Sequence, residues 1–153
     1  MRAIVPRPRT SIATIAVDVE DMSPADDEQA VRDVYERLVA AFGEGRVEDY
    51  FACFAEDATF LFHDVPWLGS RDAYRAAWDG WMQRDGFAVL AVEADLIAVQ
   101  LLGDTAVVTH ALTTRQRTDA GEETLRERET IVFAKRGDGR WLVVHEHLSP
   151  LPD

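Results

Sequence analysis

Gly137-Asp138-Gly139-Arg140-Trp141-Leu142-Val143-Val144-His145-Glu146-His147-Leu148-Ser149 decides the fold of this chain. A tight glycine turn feeds a strand in which apolar and polar residues interleave, and side chains two apart, such as His145 and His147, share one face. Such a strand is the wall of a pocket or of an interface. A second segment, Phe54-Ala55-Glu56-Asp57-Ala58-Thr59-Phe60, closes an early helical region and opens another strand. Together the two segments predict a curved sheet wrapped around a small-molecule cavity.

Upstream, Ser23-Pro24-Ala25-Asp26 offers an N-cap, a proline at the first helical position and acids in the first turn. Val31, Val34, Tyr35, Leu38 and Phe42 recur at helical spacing until Gly43 and Gly45 stop the helix. A short helix is predicted over 47–54 and a strand over 57–63, which is rich in aromatic and β-compatible residues. Ser70 caps a third helix whose apolar stripe holds Tyr74, Ala77, Trp78 and Trp81. From Phe87 the pattern turns to long strands over 89–102, 105–117, 124–135 and 140–148. Their separators, Gly103-Asp104, Asp119-Ala120-Gly121 and Gly137-Asp138-Gly139, are turn signals. Helices followed by hairpin-linked strands predict an α+β layer architecture, with helices on one side of a bent sheet.

A chain of 153 residues is long enough for one core, burying roughly 70% of its unfolded surface. The net charge of −12 repels phosphate backbones and anionic bilayers at long range, so neither nucleic acid nor membrane is expected as a partner. The single cysteine, Cys53, sits among Phe51, Ala52 and Phe54 and reads as a small buried hydrophobe. Residues 1–22 read as a flexible leader or added edge segment, and 23–153 as one domain. The leader's apolar stretch is short, contains Ser and Thr and runs into Asp18, Glu20 and Asp21, which makes a weak secretion signal and predicts a cytoplasmic protein.

This order of elements resembles the nuclear transport factor 2-like (NTF2-like) superfamily, and within it the SnoaL-like branch. The terminal strand also resembles the association domain of calcium/calmodulin-dependent protein kinase. Besides the two segments above, Gly69-Ser70-Arg71-Asp72-Ala73-Tyr74, Gly103-Asp104-Thr105-Ala106-Val107-Val108 and Glu129-Thr130-Ile131-Val132-Phe133 carry the likeness. The resemblance implies a cone-shaped α+β fold, three N-terminal helices packed on a strongly curved, mostly antiparallel sheet, with a cavity between the two layers. It also implies a homodimer through the outer sheet face. It identifies the fold far better than the activity, because one scaffold carries isomerases, cyclases, hydrolases, dehydratases and silent binding modules.

Strand alternation places Ala106, Val108, His110 and Leu112 on one face, Leu142, Val144, Glu146 and Leu148 on another, and Glu127 and Glu129 beside Ile131 and Phe133. A bulge would reverse some of these assignments. If these faces line the cavity, His110 with Glu146 or Glu129 forms either an acid–base pair or a buried polar cluster that only holds the sheet together. His63, followed by Asp64, is a further candidate at the end of the first strand. Tyr35 resembles the first-helix tyrosine with which ketosteroid isomerases of the superfamily bind an oxyanion, although a core role accounts for its spacing equally well. Their catalytic aspartate falls, in gapless register, on Phe62, so that Asp64 would serve only if a bulge turned it inward. Trp67, Trp78, Trp81 and Phe60, with Leu112 and Leu148, are the candidate ligand-binding walls. The His145/His147 pair lacks a third ligand, and neither a metal nor an organic cofactor is expected.

Two functions follow from the sequence. One is a cofactor-independent isomerase, cyclase, hydrolase or dehydratase acting on a small apolar carbonyl, polyketide-like or epoxide compound. The other is a non-catalytic ligand-binding or oligomerisation module. An open cavity on which titratable groups converge separates the first from the second.

Overall fold

The computed structural model describes residues 22–152; the leader prediction for 1–21 lies outside them. Helix α1, Pro24–Gly43, begins at Ser23, whose hydroxyl accepts the Asp26 amide while the Asp26 carboxylate accepts from the Ser23 amide. Its buried stripe is Val31, Val34, Tyr35, Leu38 and Ala41. Helix α2, Val47–Phe51, is shorter than its apolar pattern suggests, because Phe54 already opens strand β1, Phe54–Leu61. The predicted strand at 57–63 therefore lies a few residues too far along. Helix α3, Arg71–Asp85, is capped by Ser70 and closed by Gly86 at φ 63°, a left-handed conformation that glycine adopts without a Cβ clash.

Strands β2, Ala88–Leu102, β3, Thr105–Thr118, β4, Gly121–Lys135, and β5, Trp141–Pro150, follow as three consecutive hairpins. The sheet order is β1-β5-β4-β3-β2, with β1 parallel to β5 and every other pairing antiparallel. This is the α+β arrangement that the sequence predicts. Register shifts in β2, at Val89/Ala91 and Leu96/Ala98, bend the longest hairpin. Helix α1 packs against β2 and β5, and α3 packs against β1, so the helices cover the concave side.

A third shift corrects one face assignment. Val132 pairs with His145 and Phe133 with Val143, which leaves Val144 as an extra residue in β5. Trp141 and Val143 therefore point into the core, whereas Leu142 and Val144 do not. Beyond the bulge, Glu146 returns to the inner face and is 2% exposed. Trp141 Nε1 donates to Asp27 Oδ1 at 3.1 Å, and Lys135 Nζ lies 3.1 Å from the same oxygen, tying the start of α1 to the far end of the sheet.

Packed aromatic rings fill the layer between helices and sheet. Tyr50, Phe51, Phe54, Tyr74 and Trp78 are buried and in mutual ring contact. Phe60 is fully buried, 4.5 Å from Tyr74 and 5.2 Å from Phe54 between ring centroids. It is core, and its expected place in a ligand wall is corrected. Among the described residues no helix is long and apolar enough to cross a membrane.

Candidate active site

Between the concave sheet and the helices lies a cavity of about 360 Å³, the size range of small-molecule sites. Apolar groups dominate its wall: Leu38, Phe42, Phe62, Trp78, Trp81, Phe87, Leu112 and Leu148. His110, Glu127, Glu129 and Glu146 enter the same space from three strands. They do so because inward-facing positions on β3, β4 and β5 stand opposite one another: His110 pairs with Glu129, and Ile131 with Glu146.

A hydrogen-bonded relay runs from α1 to the cavity. Tyr35 Oη lies 2.9 Å from His110 Nδ1, and His110 Nε2 lies 2.7 Å from Glu129 Oε2. A carboxylate only accepts, so Nε2–H donates to Glu129; in a neutral imidazole Nδ1 then accepts the Tyr35 hydroxyl. Burial pushes the Tyr35 hydroxyl up to about 12, with the charges of Glu129, Asp95 and Glu36 adding to it, so it remains a donor. Both ring nitrogens of His110 are thereby engaged, and the ring orients Glu129.

Glu146 ends the relay. Burial holds its carboxyl well above the usual carboxylate range; the charge of Glu129, and a hydrogen bond to it, push in the same direction. Two carboxyl groups in one dry site hold a single proton more readily than two negative charges. Tyr50 and Tyr74 also reach the cavity, their hydroxyls 3.0 Å apart, and burial above all raises both well above the phenolic range. Neutral donors thus face the Glu129/Glu146 pair.

Nearer the open side, His63 Nε2 lies 2.6 Å from Glu127 Oε1. Burial raises the Glu127 carboxyl, and the His63 hydrogen bond and charge oppose that rise. Glu127 is in the cavity wall and His63 is not, so a second histidine–glutamate contact sits two residues along β4 from Glu129, its histidine supplied by the loop after β1 and not by the β3 ladder.

Residues 31–153 match the SnoaL-like domain. The chain belongs to the SnoaL-like family. Its fold is that of a small-molecule-binding domain family. A ketosteroid isomerase-like protein from Erwinia carotovora atroseptica is similar at TM-score 0.72 and 15% identity, over 84% of this chain and 98% of that one. An NTF2-like protein from Rhodospirillum rubrum matches at TM-score 0.68 and 21% identity, over 80% of this chain and 98% of the other. An NTF2-like protein from Cytophaga hutchinsonii matches at 0.67 and 20%, over 85% and 100%. No curated protein matches the sequence significantly.

In this SnoaL-like protein, seven of the residues singled out from sequence meet at one cavity: His110, Glu129, Glu146, Trp78, Trp81, Leu112 and Leu148. Four do not line it. Tyr35 is bonded to His110 and is not itself in the cavity wall. His63 acts on Glu127 from behind, and Phe60 is sealed in the core. Trp67 is 57% exposed and faces His145 on the other side of the sheet, at 6.2 Å between ring centroids, because the loop carrying it crosses the outer face. His145 Nδ1 lies 2.8 Å from Thr59 Oγ1, and among the described residues no group of three His, Cys, Asp or Glu side chains is arranged for a metal ion.

The SnoaL-like cavity also uses residues that sequence reading passed over. Glu127 shares the inward face of Glu129, which alternation already displayed. Thr114 continues the stripe of His110 and Leu112. Asp64, which the sequence admitted only on condition of a bulge, reaches the wall beside Phe62. Tyr74 falls on the apolar stripe of α3; its hydroxyl pair with Tyr50 of α2 depends on two helices meeting and has no sequence signal.

Proposed function

We propose that this SnoaL-like protein binds a small apolar carbonyl compound and moves a proton on it by acid–base catalysis, using only its own side chains. The observation that carries the reading is the Glu129/Glu146 pair: two carboxyl groups from neighbouring strands at an apolar cavity of ligand size, with burial holding the Glu146 carboxyl well above the usual carboxylate range. Glu129, oriented by His110, removes a proton from the carbon beside the carbonyl. Glu146 and the one hydroxyl of the Tyr50/Tyr74 pair whose proton is not given to its neighbour donate to the oxygen on which charge develops, where a desolvated donor is worth most. Isomerisation, cyclisation and dehydration all begin with this step. The ketosteroid isomerase-like name of one structural relative agrees with it.

The test is a thermal-shift screen of cyclic aryl ketones and epoxides, followed by NMR of deuterium exchange beside the carbonyl of those that bind. Glu146→Gln and Glu129→Gln are expected to slow exchange by about 10²- to 10⁴-fold. Exchange at the uncatalysed rate in the native protein, with a ketone bound, sinks the catalytic reading and leaves a ligand-binding module. That second reading draws on one observation: His110 and His63 already have internal partners.

The proposal includes a homodimer. Val107, Ala111, Val132, Ala134 and Leu142 lie on the outer sheet face, half-buried, with Val107 opposite Val132 and Leu142 opposite Ala134. All three helices cover the other face, so a second copy is the cover this face fits. A cytoplasmic setting is the companion expectation.

A further inference from the structure

We propose that the cavity takes an organic cation: a carbonyl compound whose apolar body carries a protonated or quaternary amine, with the carbonyl at Glu129 and Glu146 and the nitrogen toward Glu127. The proposal deepens the acid–base reading and rests on it only for where the carbonyl lies.

The ionisable part of the wall is acidic. Asp64, Asp85, Glu127, Glu129 and Glu146 line the cavity, and no lysine or arginine does. Each histidine that meets these groups serves one of them, His63 on Glu127 and His110 on Glu129. Glu146, 2% exposed, has no basic partner among the described residues. Burial raises the Glu127 carboxyl, and the charges of Asp64 and Glu129 add to that rise. A cation bound among these groups removes the repulsion, whereas a carboxylate or phosphate compounds it. The net charge of −12 acts in the same direction, because a cleft of one sign concentrates counter-ions.

The rest of the wall suits the same ligand. Phe62, Tyr74, Trp81 and Phe87 line the cavity as one chain of rings, with successive centroid separations of 5.2 Å, 6.3 Å and 6.0 Å. Asp64 follows Phe62 by two residues and Asp85 precedes Phe87 by two, so an acid stands near each end of the chain. His63, next to Phe62, holds Glu127 at 2.6 Å. Aromatic rings attract a cation through their quadrupoles out to about 6 Å, and they cover its alkyl groups as they cover any apolar body.

The same wall separates an organic ammonium from a metal ion. Among the described residues no three acids, cysteines or histidines are placed to hold a metal, and rings stand where further oxygen ligands would be needed. Glu127 and Glu129 share the inward face of β4 two residues apart, roughly 7 Å at the rise of a strand. A nitrogen and a carbonyl at opposite corners of one six-membered ring suit that spacing.

The test pairs 4-trimethylammoniocyclohexanone with 4-tert-butylcyclohexanone, two ketones of one shape that differ in charge. Affinities are measured by calorimetry at physiological salt, which screens attraction to distant surface charge. The cation is expected to bind about tenfold tighter than the neutral ketone. Trp81→Leu, which removes a ring and keeps an apolar side chain, and Glu127→Gln should each reduce that ratio about threefold. Equal affinities, tighter binding of the tert-butyl compound, binding of neither, or a ratio unchanged in both variants overturns the proposal. Should a variant fail to fold, the native ratio and the other variant decide. Deuterium exchange on the neutral ketone without preference for the cation removes this inference alone. Preference for the cation without exchange on either ketone leaves the cation site standing and removes the acid–base reading.

Discussion

His110 Nε2 and Glu129 Oε2 stand 2.7 Å apart on residues that face one another directly across the β3–β4 ladder. Backbone pairing therefore sets the geometry of the contact before any side chain is ordered, which is the kind of support a reactive carboxylate requires.

Replacing His110 by Phe keeps the ring volume and removes both nitrogens. Glu129 and the Tyr35 hydroxyl then lose their shared partner in a buried site. The expected loss is about 3–5 kcal/mol, as for a buried pair stripped of one member. Urea unfolding measures it, and His110→Gln should recover part of the loss. An unchanged midpoint for His110→Phe would show that the relay carries no stability.

Glu146 makes stability fall as pH rises. Its folded-state pKa lies above the unfolded value near 4.5. Below that value both states are protonated. Above it the unfolded chain ionises first and the folded state binds the extra proton, so unfolding becomes easier as pH rises until the folded group ionises too. The contribution is at most about 1.4 kcal/mol per pH unit for one proton. Glu146→Gln should remove it, so the stability gap between variant and native protein must widen between acidic and neutral pH. A gap independent of pH contradicts a neutral Glu146.

His63 opposes the effect of burial on Glu127. His63→Ala should move the Glu127 titration, followed by carboxyl carbon NMR, further above the ordinary glutamate range. A titration that stays put or moves down would mean that the 2.6 Å contact does not hold in solution.

Val132 lies opposite Val107 on the outer sheet face. If the proposed homodimer forms through this face, Val132→Asp is expected to leave a monomer in light scattering with the fold, read by circular dichroism, intact. A native protein that already scatters as a monomer would discard the dimer.

Much of this architecture is written locally. Ser23, Pro24 and Asp26 start α1, Ser70 starts α3, and the glycine-bearing turns separate the long strands, because caps and turns depend on a few adjacent residues. Period-two alternation likewise put His110 with Leu112, and Glu127 with Glu129, on shared faces, and the fold turned those faces inward. Three facts needed the folded chain. The extra residue at Val144 turned Trp141 and Val143 inward, since a bulge is a property of two strands in register. Trp67 went to the outer face because a loop's path is set by what it packs against. The Glu146 carboxyl stands above the usual carboxylate range because of burial and the nearby charge of Glu129, brought from another strand, and neither is a property of residues adjacent to Glu146.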